Sequence, residues 1–305
     1  MKRDFQQIEW DEQLADDCRQ IVRLAVREDL DRSFDLTTVA LVPAEAAGAA
    51  DFVSREAGII AGLPALKLAL DEMEISVEWH PVAQDGCELR SGERVAGIKG
   101  AARDLLTAER LLLNLLSRLS GIATLTHRFV SAIEGTGAAI YDTRKTTPGW
   151  RRLEKYAVRC GGGRNHRHGL YDAVLIKDNH LAFSRQAQRS LPAAVQRGQE
   201  FAAQLPRGDG DAPPLVEVEV DTLEQLAEVL AAEPDVVLLD NMSAEQLAAA
   251  VVARNQLGVS TELEASGGIT MANIREVAQS GVERISVGAL THSAVCLDIG
   301  LDWLD

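Results

Sequence analysis

From Gly137 onward the chain repeats one pattern: a short, continuously apolar run, then polar or glycine residues, then a helical stretch. The apolar runs are Ala138–Tyr141, Ala173–Ile176, Leu215–Val220, Val236–Leu239, Thr261–Ala265 and Arg284–Val287. Between them, helical spacing predicts helices over Pro192–Leu205, Leu223–Ala232, Ala244–Leu257 and Met271–Ser280. Asp221-Thr222 and Ser243 read as N-caps, and Leu257-Gly258 and Ser280-Gly281 as closures. Strands apolar on both faces and joined through helices form a parallel sheet covered on both sides. A (β/α) barrel is the leading architecture and an open doubly wound sheet the alternative. Six strands are visible where a full barrel has eight, so the barrel is expected to be incomplete.

In a parallel barrel the C-terminal strand ends share one face, and active sites are built there. The residues delivered to that face are polar. They are Asp142, Thr143, Arg144 and Lys145, then Lys177, Asp178 and Asn179, then Glu219 and Asp221, then Asp240 and Asn241. Ser266, Gly267 and Gly268 follow the fifth run and Gly288 and Ala289 the sixth. Glycine turns this late in a barrel suit a phosphate held by backbone N–H groups.

Charge is unevenly spread. The chain carries 31 Lys+Arg against 46 Asp+Glu, a net charge of −15. Tyr141–His180 reverses the sign, with nine basic and four acidic residues and three of the six histidines. Clustered cations repel one another unless anions neutralise them. The simplest reason to collect them is a small ligand with several phosphates or carboxylates. A solvated basic face is the plain alternative, but the buried-strand signature Ala173–Ile176 and the run Gly161-Gly162-Gly163 count against it.

The acidic balance argues against nucleic acid as a partner. No apolar run approaches the roughly 18 residues a membrane span needs, and Met1–Trp10 lacks the apolar core of a signal peptide. Cys18, Cys87, Cys160 and Cys296 are widely spaced, as expected of reduced thiols in a cytoplasmic protein.

The N-terminal part reads differently. Asp11–Leu30 has helical periodicity, and Asp35–Thr38 is a polar, turn-like stretch. Gly58–Ala61, Ile75–His80 and Arg94–Lys99 read as strands, with a helix over Ala65–Glu74, which makes a small α+β domain. Ala101–Ile133 is a leucine-rich helix that Gly121 could break. Arg110, Asn114, Ser117 and Gly121 make a polar stripe on it, either a snorkelling surface or one face of a ligand site. We expect an N-terminal α+β sandwich domain over residues 1–124 and an incomplete parallel (β/α) barrel over 125–305, whose last residues pack back on the first domain.

Alternation in Leu215–Val220 puts Glu217 and Glu219 on one face, the barrel interior. Two interior carboxylates cost several kcal/mol unless cations meet them. Lys145 or Lys177 could do so as an internal salt bridge, or the carboxylates could serve Mg2+ or sugar hydroxyls. His166 and His168 make only a weak metal pair. His166 is expected to donate to an anion and His168 to be structural.

Taken together, Asp142-Thr-Arg-Lys-Thr-Thr-Pro-Gly149, Gly161-Gly-Gly-Arg-Asn-His-Arg167, Ile176-Lys-Asp-Asn-His180, Val216-Glu-Val-Glu-Val220, Leu239-Asp-Asn241, Ala265-Ser-Gly-Gly-Ile269 and Ser286-Val-Gly-Ala289 resemble the quinolinate phosphoribosyltransferase family. Upstream, Ala108–Ala123 and Glu28-Asp-Leu30 with Asp35–Thr38 also match, with Leu36 where isoleucine is more usual. The resemblance covers nearly the whole chain and its motifs are in order.

It implies an α/β enzyme that converts quinolinate and phosphoribosyl pyrophosphate (PRPP) to nicotinate mononucleotide, pyrophosphate and CO2 with Mg2+. It implies a homodimer, or a hexamer, in which Arg110 crosses into the partner's site. Arg110, Arg144, His166 and Arg167 would hold the quinolinate carboxylates, with Thr143 beside them. Lys145 and Lys177 would serve the pyrophosphate and the reacting carboxylate. Glu219 and Asp240 would bind ribose hydroxyls, directly or through Mg2+. Ser266, Gly267, Gly268, Gly288 and Ala289 would cradle the 5′-phosphate. The rival readings are a same-fold transferase for another acceptor, such as a molybdenum-associated paralogue, and a non-catalytic sugar-phosphate sensor.

Overall fold

The computed structural model describes residues 3–177, 179–180, 190–206 and 212–304. Two units interleave in the sequence. One comprises Ile8–Arg128, Lys145–Gly163 and Leu290–Asp305; the other comprises Met1–Gln7, Phe129–Arg144 and Arg164–Ala289. The longest segments of the two units meet at 128/129, and three short segments are exchanged between them. Asp178 lies outside the described residues, as do residues 207–211 of Arg207–Pro214, a stretch rich in Gly, Pro and Asp that reads as a loop.

The first unit begins where periodicity predicts. Leu14, Cys18 and Val22 are buried along α1 (Glu12–Leu30), and Asp11 caps it by accepting from the Leu14 N–H at 2.7 Å. Asp35 likewise caps α2 (Leu36–Leu41). Residues 35–38 are thus the start of a helix rather than a turn; at six residues it is too short for a period to show. There follow β1 (Ala47–Ser54), β2 (Gly58–Ile59), α3 (Leu63–Glu72), β3 (Val77–Pro81), β4 (Glu88–Leu89), β5 (Arg94–Ala101) and α4 (Ala102–Ala132).

A C-terminal strand, β12 (Ile299–Leu304), completes an antiparallel sheet of order β12-β1-β5-β3. Nothing in local composition marks β1, which is rich in Ala and Gly, residues of low strand preference. Its partners specify it: Phe52 stands between Leu301 and Ala96. Gly121 does not break α4. A Cβ there would lie 2.1 Å from the Val295 carbonyl oxygen, so glycine permits a close backbone approach. Gly161, at the end of α5 (Arg151–Cys160), does the same: a Cβ would lie 2.3 Å from the Ala123 carbonyl oxygen.

The second unit contains β6 (Ala139–Tyr141), β7 (Ala173–Ile176), α6 (Leu191–Gln204), β8 (Leu215–Val220), α7 (Leu223–Leu230), β9 (Val236–Asp240), α8 (Ala244–Leu257), β10 (Glu262–Ser266), α9 (Ile274–Gln279) and β11 (Arg284–Ser286). Ser190, Thr222 and Ser243 cap α6, α7 and α8, the last through a reciprocal capping box with Gln246. All six strands are parallel, in the order β6-β11-β10-β9-β8-β7. Consecutive strands from β7 to β11 are neighbours, and β11 returns to pair with β6. Among the described residues the two end strands of this order, β6 and β7, do not pair with each other, so the incomplete barrel has an open seam.

Residues 3–7 run across the N-terminal strand ends. Arg3 pairs with Asp235, just before β9, at 2.7 Å, and Asp4 with Arg284, the first residue of β11, at 3.1 Å. Phe5 is buried against Tyr141, Ala173 and Leu215.

The close approach at Gly121 gives a test. Alanine is the better helix former by about 1 kcal/mol, yet Gly121→Ala is expected to destabilise by about 1–3 kcal/mol through overpacking. Urea unfolding measures this; a midpoint that stays put or rises would contradict the contact.

Candidate active site

The seam between β6 and β7 is bordered by an extended segment, Arg164–His168. Arg164 bridges Tyr141 in parallel fashion, its N–H donates to the Ile140 carbonyl at 2.8 Å, and its carbonyl accepts from the Asp142 N–H at 3.0 Å. Asp142 is fully buried and holds the next two residues. It accepts from Asn165 Nδ2 at 2.7 Å and from the His166 N–H at 2.9 Å. Gln7 grips Asn165 by both main-chain groups, at 2.8 and 3.1 Å. The Phe5 ring stacks on His166 with centroids 4.3 Å apart. His168 Nε2 lies 2.8 Å from the Gln6 carbonyl oxygen, the structural role expected of it.

Alternation on β8 turns Glu217 and Glu219 to the same side, and their surroundings differ. Glu219, near the C-terminal end, pairs with Lys177. That is the internal salt bridge the sequence offered as one option. Glu217, deeper in, is fully buried and meets no lysine among the described residues. Its Oε2 lies 3.1 Å from His166 Nε2. Glu264 on β10, also fully buried, brings Oε1 to 3.5 Å from the same nitrogen. Burial, and then the charge of Glu217, push the Glu264 carboxyl up to about 7.

The Nε2 of His166 faces this chain's own Glu217 and Glu264, and its Nδ1 accepts the Arg167 N–H at 2.8 Å. The companion of His166 in any ion site is not His168: His166, Glu217 and Glu264 each place one ligand atom within 4.8 Å of the others. The role of Glu264 escaped sequence reasoning. A signal existed, because Glu262-Leu-Glu264 repeats the alternation of Glu217-Val-Glu219.

Arg167 is 7% exposed, and its Nη1 donates to the Ala173 carbonyl at 3.4 Å. Burial, and then the like charge of Arg144, lower its pKa, while Glu217 opposes the shift. Arg144 is half-buried after β6, next to Thr143, and its buried Nε meets no acceptor among the described residues. Asp240 ends β9 and accepts from Asn241 Nδ2 at 2.7 Å. Ser266 ends β10, and its carbonyl accepts from the Asn241 N–H at 2.9 Å.

Gly267 and Gly268 have φ of +87° and +61°, and a Cβ on Gly267 would lie 2.2 Å from Asn241 Oδ1. Only glycine fits that turn. Gly288 and Ala289 follow β11. The strand ends of this unit thus carry Arg144, Lys177, Glu219, Asp240 and both glycine turns, as expected. Lys145 and Arg110 belong to the other unit. Lys145 is exposed and its carbonyl accepts from Thr291 Oγ1 at 2.7 Å. Arg110 is exposed on α4, as is Asn114, whereas Gly121 on the same stripe is buried.

The chain is similar to known proteins over most of its length. Residues 122–302 match the profile of the quinolinate phosphoribosyl transferase C-terminal domain and residues 35–120 that of its N-terminal domain. A nicotinate-nucleotide pyrophosphorylase (carboxylating) of Mycobacterium leprae is 47% identical over 290 residues, covering 94% of this chain and 97% of that protein. A probable nicotinate-nucleotide pyrophosphorylase (carboxylating) of Bacillus subtilis is 41% identical, covering 83% and 82%. The solved nicotinate-nucleotide pyrophosphorylase of Francisella tularensis superposes with a TM-score of 0.87 at 34% identity, over 99% of this chain and all of that one.

Glu264 also predicts a pH dependence. Its folded-state pKa lies above its ordinary 4.5, at about 7. The folded chain therefore binds the proton more tightly than the unfolded chain does. Its contribution to stability is present below about pH 4.5 and is lost as pH rises towards 7, by about 1.4 kcal/mol per pH unit at most. Glu264→Gln removes this titration. The variant is expected to gain on the natural chain between about pH 5 and about pH 8. A difference in urea midpoint that does not change with pH would refute the assignment.

Proposed function

The chain belongs to the quinolinate phosphoribosyltransferase family, and from that premise we infer that it transfers the phosphoribosyl group of PRPP to quinolinate. CO2 is lost, and nicotinate mononucleotide and pyrophosphate are released. It is a pentosyltransferase of de novo NAD biosynthesis. The observation that carries the substrate assignment is the pair Arg144 and Arg167. Both guanidiniums are partly or wholly withdrawn from water, each lacks a carboxylate hydrogen-bonded to it among the described residues, and they are close enough for one to depress the other's pKa. Two such cations call for a ligand with two carboxylates.

Roles follow from the chemistry. Arg144 and Arg167, with Arg110, hold the carboxylates and fix the pyridine nitrogen towards the anomeric carbon; Thr143 lines the same turn. Charged hydrogen bonds of this kind contribute roughly 1.5–3 kcal/mol each. Lys145 and Lys177 steady the departing pyrophosphate and the reacting carboxylate. Glu219 and Asp240 bind ribose hydroxyls and stabilise positive charge growing at the anomeric carbon. Ser266, Gly267, Gly268, Gly288 and Ala289 hold the 5′-phosphate through main-chain N–H groups. Once ribosylated, the ring nitrogen is cationic and stabilises the carbanion left at the adjacent ring carbon when its carboxylate departs as CO2; a proton from solvent then completes the C–H bond of the product. The protein's part is positioning and preorganised charge.

Mg2+ belongs to this reading. Glu219 and Asp240 stand at the C-terminal ends of neighbouring strands, and two carboxylates suit a cation that keeps waters and takes further oxygens from a diphosphate. Bound there, it would neutralise charge building on the leaving pyrophosphate. A homodimer is also proposed, with Arg110 supplied to the partner's site from the exposed side of α4. Among the described residues no helix is long and apolar enough to cross a membrane. A cytoplasmic location is proposed from four widely spaced cysteines that remain thiols.

The decisive measurement is release of labelled CO2 from quinolinate with and without PRPP. Release only when both are present is expected, and none at all would end the reading. Nicotinate should be a far poorer acceptor, by about 10⁴-fold or more in kcat/KM, because a buried cation would lose its partner. Lys145→Ala is expected to lower kcat by about 10²–10³; an unchanged rate would remove Lys145 from the chemistry.

A further inference from the structure

Lys145 is exposed and lies in an irregular stretch, so its long side chain takes its place from the main chain beneath it. Three consecutive residues of that stretch are held by side chains. The Lys145 carbonyl accepts from Thr291 Oγ1 at 2.7 Å. Thr146 Oγ1 accepts from Arg151 Nε at 3.0 Å. Thr147 donates its N–H at 3.1 Å and its hydroxyl at 2.8 Å to the two oxygens of Glu154. Glu154 stands in the first turn of α5 and is fully buried.

One arginine ties these contacts together. Arg118 on α4 pairs with Glu154 at 2.7 Å. The same Nη2 donates to the Thr291 carbonyl, and Nη1 donates to the Ala294 carbonyl at 3.0 Å. A ring of bonds results. It runs from Lys145 to Thr291, on to Arg118 and Glu154, and back to Thr147. All its members belong to one unit. The same face of α4 meets residues 295–297 as well: the Ser117 carbonyl accepts from the Leu297 N–H at 3.0 Å, and Gly121 admits the Val295 carbonyl.

A carboxylate in a first turn commonly serves its own helix. Here both Glu154 oxygens accept from Thr147, outside α5, and the guanidinium fork reaches α5 and residues 291–294 together. Apolar side chains of similar volume would serve stability as well as a buried ion pair does. They could not hold Thr147 and Thr291 at fixed distances.

We propose that Arg118 and Glu154 are positioning residues for Lys145, fixing the main chain from its carbonyl to Thr147. The inference rests on the preceding reading in taking Lys145 to act on the departing pyrophosphate and the reacting carboxylate. A reacting group displaced by about 1 Å loses about a hundredfold in rate, and the ring prevents that displacement.

Glu154→Gln opens the ring, because one carbonyl and one NH2 cannot receive three donors in the geometry that two oxygens do. It is expected to lower kcat about tenfold, with smaller changes in KM for quinolinate and PRPP. In a Lys145→Ala background the same substitution should cost less than about twofold, because its effect runs through Lys145. An unchanged kcat, or a tenfold loss that persists without Lys145, would overturn the proposal. Should Glu154→Gln fail to fold, Thr147→Val on an exposed residue runs through the same cycle, and Thr147→Ser, which keeps the hydroxyl, should restore the rate.

Trypsin gives a readout without activity, because the bond after Lys145 is a tryptic site. Thr147→Val is expected to speed that cut about fivefold relative to cuts elsewhere in the chain; an unchanged ratio would refute the ring. A Lys145→Ala variant with the natural rate would overturn both this inference and the role given to Lys145. Should the natural chain release no CO2, the proposed function fails, and cleavage still judges whether the ring holds the main chain.

Discussion

Charge buried inside a cylinder of strands sets the terms for its surroundings. Glu217, Glu264 and His166 are withdrawn from water, and no lysine or arginine forms an ion pair with either glutamate among the described residues. Such a cluster persists only if protons and dipoles are arranged so that no carboxylate stands ionised alone. The Nε2 of His166 faces both carboxylates, and its Nδ1 accepts the Arg167 N–H. Through the second nitrogen the ring fixes the main chain that carries Arg167. An interior polar network and a cationic binding surface are thus one connected structure.

The open seam contributes as much as the strands. A closed barrel would place two further strands between β6 and β7. Here Arg164–His168 follows the free edge of β6 and delivers Arg167 towards the Ala173 carbonyl at the start of β7. An irregular segment at a sheet edge needs its polar groups met individually. Asp142 meets the Asn165 side chain and the His166 N–H, and Gln7 meets both main-chain groups of Asn165. Residues 5–7 therefore support the segment that carries Arg167.

Much of this was legible beforehand for a stated physical reason. Strand and helix periods are local, and the expected elements recur within about three residues at each end. Caps are local too, and Thr222 and Ser243 occupy theirs. Period two placed Glu217 and Glu219 on one side. What escaped prediction depends on partners distant in sequence. The first strand, Ala47–Ser54, has little strand preference and exists because Phe52 lies between Leu301 and Ala96. Gly121 resembles a helix breaker until Val295, 174 positions on, is seen against it. Glu217 and Glu264 converge on His166 from strands far from it in sequence.

By itself, then, the sequence determined the parallel β/α repeat, the face on which the charged residues gather, and the family whose motifs they spell, because each is written in short-range spacing or in contiguous residues. Only the tertiary structure decided which carboxylate meets which cation. Lys177 neutralises Glu219, while Glu217 is left to share His166 with Glu264. That choice turns on ångström-scale distances between strands far apart in the chain, and on burial, which makes each such distance matter.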